Sequence, residues 1–382
     1  MILQGQSWGP MTLAFVLDSA GNGRMIEYDD TTGQGSRGSG VLRKANPSAF
    51  SVGGLNGGWV FGMSGAGPYG ERFVNVGQFA LTTGTISDGS CDTNDGGDYE
   101  TCTFAGMLSA VDPQSGRTTV TIQSNNGTSR DAVYVVSVGE LVMEQIDSVQ
   151  QNGSPLLVGS VLRQSNSFSN ASLNGLAVSY CQSVNSGSGD DDSGAAIISC
   201  DGNGNANVLT SDDDDAGTVT QQPPSQETYT VTANGAVTFT GGGDVPAGFL
   251  MNQNKAFMVS SGFDPDFYWL EAQTGGPFSN ASMAGIYPGG SLSPLDYTNA
   301  SNEVDMGSAD GIDTLTLDGD SSSSGGINQW FGTVLNYNIA DNGRGTGQSQ
   351  GGETPGIVYM ISPAKWLFLQ PTTDARVDVF QH

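Results

Sequence analysis

The chain has 382 residues, 57 of them glycine, with 39 acidic against 12 basic side chains and a formal net charge of −27. That length suits roughly two to four domains, and the acidity argues against nucleic acid and against anionic membrane surfaces, both of which recruit clustered Lys and Arg. The single histidine, His382, is the last residue of this sequence, which argues against a Ser-His-Asp triad and most zinc chemistry, both of which need a placed imidazole, so no catalytic machinery is recognised.

No stretch carries helical periodicity. The spread of Gly, Ser, Thr, Asn and Asp predicts short strands joined by tight turns, an all-β chain. No apolar run is long enough to insert in a membrane. The N-terminal MILQGQSWGPMTL lacks the basic and apolar regions of a signal peptide.

In chain order the first landmark is a hairpin, LAFVLDSAGNGRMIEY (13–28), followed by the strand GSGVLRK. The same pattern returns as VYVVSVGELVMEQI (133–146), GFLMNQNKAFMVS (248–260) and VYMISPAKWLFLQ (358–370), with a charge near the turn at Arg24, Glu140, Lys255 and Lys365. A second landmark is Phe168-Ser-Asn-Ala-Ser-Leu-Asn-Gly175, repeated at Phe278–Gly285 and more weakly at Phe50–Gly57. A period of that size marks whole domains. A mid-unit hairpin also recurs, with Asn234-Gly235 and Asn342-Gly343 suited to a two-residue turn.

The chain therefore divides into a partial repeat at 1–45, holding the last three strands of a unit, and three complete units at 46–164, 165–273 and 274–382. The incomplete start is expected to belong to a longer secreted protein, or to be completed by strands of another chain. The first complete unit reads as eight sequential strands between residues 59 and 163. Short hairpins between neighbours favour a closed antiparallel up-and-down barrel, with a two-sheet β-sandwich as the alternative.

Leu55-Asn-Gly-Gly-Trp59 at the start of the first strand resembles the Gly-x-Trp opening of calycin barrels, the lipocalin and avidin group. The resemblance implies that Arg163, late in the eighth strand, packs over Trp59 and closes that end. The other units depart from it, with Leu176-Ala177 and Ile286-Tyr287 in the Trp region. The whole pattern is similar to that of secreted soil-bacterial proteins carrying several such units.

Four cysteines form two local pairs, Cys91/Cys102 and Cys181/Cys200, read as disulfides that staple hairpins in an oxidising compartment. Acidic runs recur after the third strand of each unit: Asp92, Asn94, Asp95 and Asp98; Asp212, Asp213, Asp214 and Asp215; Asp318 and Asp320. Clustered carboxylate and amide oxygens suit Ca²⁺, the one cofactor expected, although no run has full EF-hand spacing and the plain alternative is a solvated loop. The functional expectation is a non-catalytic secreted or cell-surface structural or adhesive protein, partnered by copies of itself or by extracellular surfaces. The alternative is a binding module for a small apolar ligand or a glycan. A hydrolase would need two carboxylates facing each other across a cleft.

Overall fold

A computed structural model describes residues 2–3, 11–31, 38–125, 127–147, 154–165, 167–184, 191–241, 245–292, 301–349, 355–373 and 375–382. It is all-β, and the barrel arrangement is the one observed rather than the sandwich. The first sheet holds β1 (Ile2–Leu3), β2 (Met11–Leu17), β3 (Gly23–Glu27) and β4 (Ser39–Leu42), in that order. Barrel 1 is closed and contains β5 (Gly57–Ala66), β6 (Arg72–Thr82), β7 (Thr85–Asp95), β8 (Asp98–Leu108), β9 (Arg117–Ser124), β10 (Gly127–Ser137), β11 (Glu140–Gln145) and β12 (Leu156–Arg163). Neighbours in sequence are neighbours in the sheet, and β12 returns to pair with β5.

Barrel 2 contains β13 (Asn174–Val184), β14 (Asp191–Asp201), β15 (Asn205–Asp215), β16 (Thr218–Gln222), β17 (Ser225–Val231), β18 (Ala236–Thr240), β19 (Pro246–Asn252), β20 (Lys255–Ser260) and β21 (Phe267–Ala272). Its ninth strand is a division of the fourth. Both β16 and β17 pair with β15, and Pro223-Pro224 between them cannot donate to the ladder. Pairing of β13 with β21 closes the ring.

Barrel 3 contains β22 (Gly285–Gly290), β23 (Asn302–Ala309), β24 (Thr314–Ser323), β25 (Gly326–Ile339), β26 (Arg344–Ser349), β27 (Gly356–Ser362), β28 (Lys365–Gln370) and β29 (Arg376–Gln381). It is nearly closed, through a bridge from Ser291 to Asp378.

Strand alternation gives each barrel an inner and an outer set of side chains. The interior of barrel 1 holds Trp59, Phe61, Phe79, Phe104, Val133, Leu141 and Leu157. Barrel 2 is filled by Leu173, Tyr229, Phe239, Leu250, Met258 and Leu270, and barrel 3 by Tyr287, Tyr337, Met360, Trp366, Phe368 and Phe380.

The outer residues are buried too, between barrels. Val60, Val74 and Val76 of barrel 1 meet Phe249, Met251, Phe257, Val259 and Phe267 of barrel 2. Val178, Tyr180, Ala195 and Ile197 of barrel 2 meet Tyr359, Ile361, Leu367, Leu369, Val377 and Val379 of barrel 3. In both seams the last three strands of the later barrel lie on the first strands of the earlier one. The N-terminal sheet approaches barrel 3 in the same sense, through β2 and β3 against β22 and β23.

The chain crosses each junction in the same way. Gln164 reaches from the end of barrel 1 to Asn234 O (3.0 Å) and Leu250 O (2.8 Å) of barrel 2. Gln273 repeats this with Asn342 O (2.9 Å) and Met360 O (2.8 Å) of barrel 3. Phe50, Phe168 and Phe278 each sit against a turn glycine with positive φ: Gly116 at 69°, Gly235 at 89° and Gly343 at 91°. A Cβ there would be strained by the backbone and blocked by the ring.

Gly62 shows how tight the first seam is. A Cβ on it would stand 2.6 Å from Phe267 Cζ and 2.7 Å from Phe257 Cγ. Gly62→Val is expected to force these rings off β5 and to cost about 1–3 kcal/mol. Chemical denaturation should read this as a lower midpoint, and hydrogen exchange should rise on the facing surfaces of barrels 1 and 2.

Candidate functional site

The two ends of each barrel differ in chemistry. One end is apolar and plugged by a short 3-10 turn. In barrel 1 this turn is Val52–Leu55. Trp59 is fully buried beside it and donates through Nε1 to Leu55 O at 2.8 Å. Arg163 is the cross-strand partner of Trp59, and its guanidinium carbon lies 5.1 Å from the ring centroid. The guanidinium also donates to Leu55 O at 3.3 Å and to Asn56 O. The cation thus covers the indole face and ties the turn to the last strand.

Barrels 2 and 3 close the same end differently, and sequence reading missed how. Their turns are Asn170–Ser172 and Asn280–Met283. Asn170 Oδ1 accepts from Val231 N (2.8 Å), and Asn280 Oδ1 accepts from Ile339 N (2.7 Å). Tyr229 donates to Leu173 O (2.7 Å), and Tyr337 donates to Asn280 O (3.3 Å). A signal was present: Tyr229 precedes Asn234-Gly235 by the same interval as Tyr337 precedes Asn342-Gly343.

The opposite end is polar. Barrel 1 holds a cavity of about 100 Å³ there, lined by Asn75, Ser129, Asp131 and Gln145 over Met63, Met143 and the Cys91–Cys102 pair. Asp131 is buried, and burial followed by the nearby Asp147 charge pushes its carboxyl up to about 7. In barrel 2 burial raises Asp192 to about 7, with the charges of Asp266 and Asp213 next in weight. Tyr268 donates to Asp266 at 2.8 Å. In barrel 3 the carboxylate oxygens of Glu303, Asp305 and Asp378 lie within 4.8 Å of one another.

The acidic runs expected to be calcium loops are strand segments instead. Asp92, Asn94 and Asp95 belong to β7, Asp98 opens β8, Asp212–Asp215 end β15, and Asp318 and Asp320 lie in β24. All but Asp98 are in the third strand of a barrel, not in a loop after it. Cross-strand pairing continues through Asp95↔Asp98 and Asp215↔Thr218 to the two-residue turns. Alternation then sends adjacent members to opposite faces, so no run converges on one point.

Several of these residues work at the seams instead. Asn94 is buried and donates to Ser260 O (3.1 Å) and Gly262 O (2.9 Å) of barrel 2. Asp212, also buried, accepts two hydrogen bonds of 2.7 Å from Arg344 and one from Tyr359 of barrel 3. Such a bidentate pair fixes orientation between the barrels more surely than it adds stability. Asp92 hydrogen-bonds Tyr99 and is raised by burial to about 6. Asp95 reaches about 6 through burial and the neighbouring Glu71. Asp214 accepts from Gly217 N (2.9 Å) and, by burial, rises to about 7. Asp213 and Asp215 point the other way and are exposed. Asp318 accepts from Gly332 N (2.6 Å), and Asp320 accepts from Gln329 (2.9 Å).

Cys91 and Cys102 form a disulfide between directly paired positions of β7 and β8. The structure does not bring Cys181 and Cys200 together. On the ladder between β13 and β14, Cys181 faces Gly194 and Cys200 faces Gly175. Six register steps at about 3.3 Å each separate them, far beyond disulfide reach. Both remain thiols.

Alkylation of the unfolded chain without reductant should therefore label two cysteines, and four after reduction; no labelling before reduction would restore the second bond. The pH dependence of Asp131 has a definite sign. Its folded value of about 7 exceeds the ordinary 3.8, so the folded state binds more protons between these values and stability falls as pH rises through them. Asp131→Asn should be more stable than the parent at about pH 8, by roughly 2 kcal/mol, and nearly equal to it at about pH 4. Urea unfolding at the two pH values reads both outcomes.

No family model matches the chain, and no curated protein matches it. Among solved structures it is similar to a Trp-176-Ala mutant of transferrin binding protein B from Haemophilus parasuis, at 11% identity, over 97% of this chain and 85% of that one, with a TM-score of 0.20.

Proposed function

We propose that this chain is a non-catalytic extracellular or cell-surface scaffold of calycin-like barrels locked into one array. The observation that carries the reading is the double use of each strand. Inward side chains fill barrels 2 and 3, and outward side chains seal them against their neighbours. A filled barrel has no room for cargo, and a sealed seam transmits position and force. The Cys91–Cys102 bond suits an oxidising compartment. The net charge of −27 favours solubility and disfavours nucleic acid. Among the described residues no helix is long and apolar enough to cross a membrane.

A second reading, a small-ligand binder, is favoured by one feature: the cavity of about 100 Å³ in barrel 1 with Asp131 and Gln145 in its lining. That volume suits a few waters or a very small polar solute, not a lipid or a sugar chain.

Native mass spectrometry of the secreted protein separates the two. A scaffold is expected to carry nothing beyond metal ions. An organic adduct retained by the parent and lost in the cavity-filling variant Met63→Trp would overturn the scaffold reading in favour of the binder.

A further inference from the structure

The polar end of barrel 3 contains charges that its own side chains do not balance. Arg376 is buried, with its guanidinium 2.7 Å from Glu303 Oε2 and 3.2 Å from Asp378 Oδ1. Gln370 donates to Asp378 Oδ2 at 2.6 Å and to Glu303 Oε2 at 3.2 Å. Arg376 also donates to the Ser301 carbonyl at 3.3 Å and the Ser301 hydroxyl at 3.2 Å. These contacts leave Asp378 Oδ1 in ion-pair range of Arg376 but without a hydrogen bond.

Asp305 points into this network and is not part of it. Its side chain is 1% exposed, and its Oδ1 accepts no hydrogen bond. Its carboxylate nonetheless lies within 4.8 Å of those of Glu303 and Asp378. A carboxylate held away from water beside two others is strongly disfavoured unless something positive joins it. Three carboxylates against the one Arg376 guanidinium leave two negative charges among these groups. Cross-strand alternation explains the convergence. Glu303 and Asp305 share one face of β23, and Arg376 and Asp378 share one face of β29, all turned to the barrel interior alongside Phe380.

We propose that Glu303, Asp305 and Asp378 hold one hard divalent cation, of the calcium class, inside barrel 3. The donors are all carboxylate oxygens, the ligand type that calcium takes and that softer metals do not select. A charge of +2 equals the excess among these four groups; the next charges acting on them are one of each sign, Arg24 toward Asp378 and Asp320 toward Asp305. Gly319 opens the space beside the site: Asp305 Oδ1 and the Trp330 ring both crowd the point where its Cβ would stand. The proton is the competing solution, since burial and the charges of Glu303 and Asp378 hold the Asp305 carboxyl well above the usual range. The cation site is independent of the scaffold reading.

The test uses the full chain, stripped with chelator and then titrated with calcium or with terbium. Calcium should raise the melting temperature of the parent saturably. Terbium should luminesce on excitation of tryptophan, because Trp330 stands beside Asp305. Asp305→Asn should weaken both responses by roughly tenfold or more, whereas Asp192→Asn in barrel 2 should leave them intact. Glu303→Gln serves as a second variant if the first does not fold. Equal responses in the parent and in Asp305→Asn would overturn the site. So would a parent indifferent to calcium while Asp305→Asn is the more stable protein, the mark of a buried proton.

Discussion

Everything in this architecture depends on the two-residue period of the strand with both of its faces used. Within a barrel the inward residues must fill a closed space. Along a seam the outward residues must match a neighbouring barrel. Phe257 and Met258 show the division in adjacent positions, one against barrel 1 and the other inside barrel 2. A slip of one residue would exchange the two sets, so that neither would fit the surface it meets. Each large apolar side chain so buried contributes about 1.5–3 kcal/mol. The seams thus contribute energy of the same kind as the interiors.

Charge is handled by position. The chain is strongly acidic, yet its buried carboxylates are not scattered. Asp212 meets Arg344 across the seam between barrels 2 and 3, and Glu271 of barrel 2 meets Lys365 of barrel 3 close by. Tyr180 donates to the same Glu271 at 2.6 Å. Arg43, just past β4, meets Glu140 of barrel 1 at 2.9 Å. Arg344, Lys365 and Arg43 thus serve contacts between units, while Arg163 and Arg376 act within a single barrel. Other acidic groups collect at the polar barrel ends, where burial raises their proton affinity.

Much of this was legible beforehand. The repeating hairpins and the eight-strand count follow from local pattern, because strand period and turn chemistry are short-range properties, whereas the Trp59–Arg163 contact was implied by the calycin resemblance and is made by the closing pair of strands. Arg24, Glu140, Lys255 and Lys365 stood out as recurring charges; Arg24 donates to Ser291 O, Glu140 meets Arg43, Lys365 meets Glu271, and the Lys255 charge also acts on Glu271. β19 and β27 are covered on both faces, whereas β10, in the same place of barrel 1, leaves Tyr134 exposed. The acidic runs misled because Asp-rich sequence signals a loop by propensity. Here cross-strand partners hold those residues in the ladder, and context outweighs propensity in strands.

By itself the sequence determined an all-β chain of repeated antiparallel units, because alternation and turn residues are written along the chain. Only the tertiary structure decided what each acidic residue does. Whether Asp212 is a ligand, a solvated charge or half of an ion pair depends on Arg344, which is 132 positions away. The same holds for Cys181 and Cys200, whose spacing suits a hairpin bond but whose register separates them. The acidic group of barrel 3 unites residues from β23 and β29, adjacent only because the barrel nearly closes. Closure brings together groups that linear spacing keeps apart, and no short-range pattern encodes that meeting.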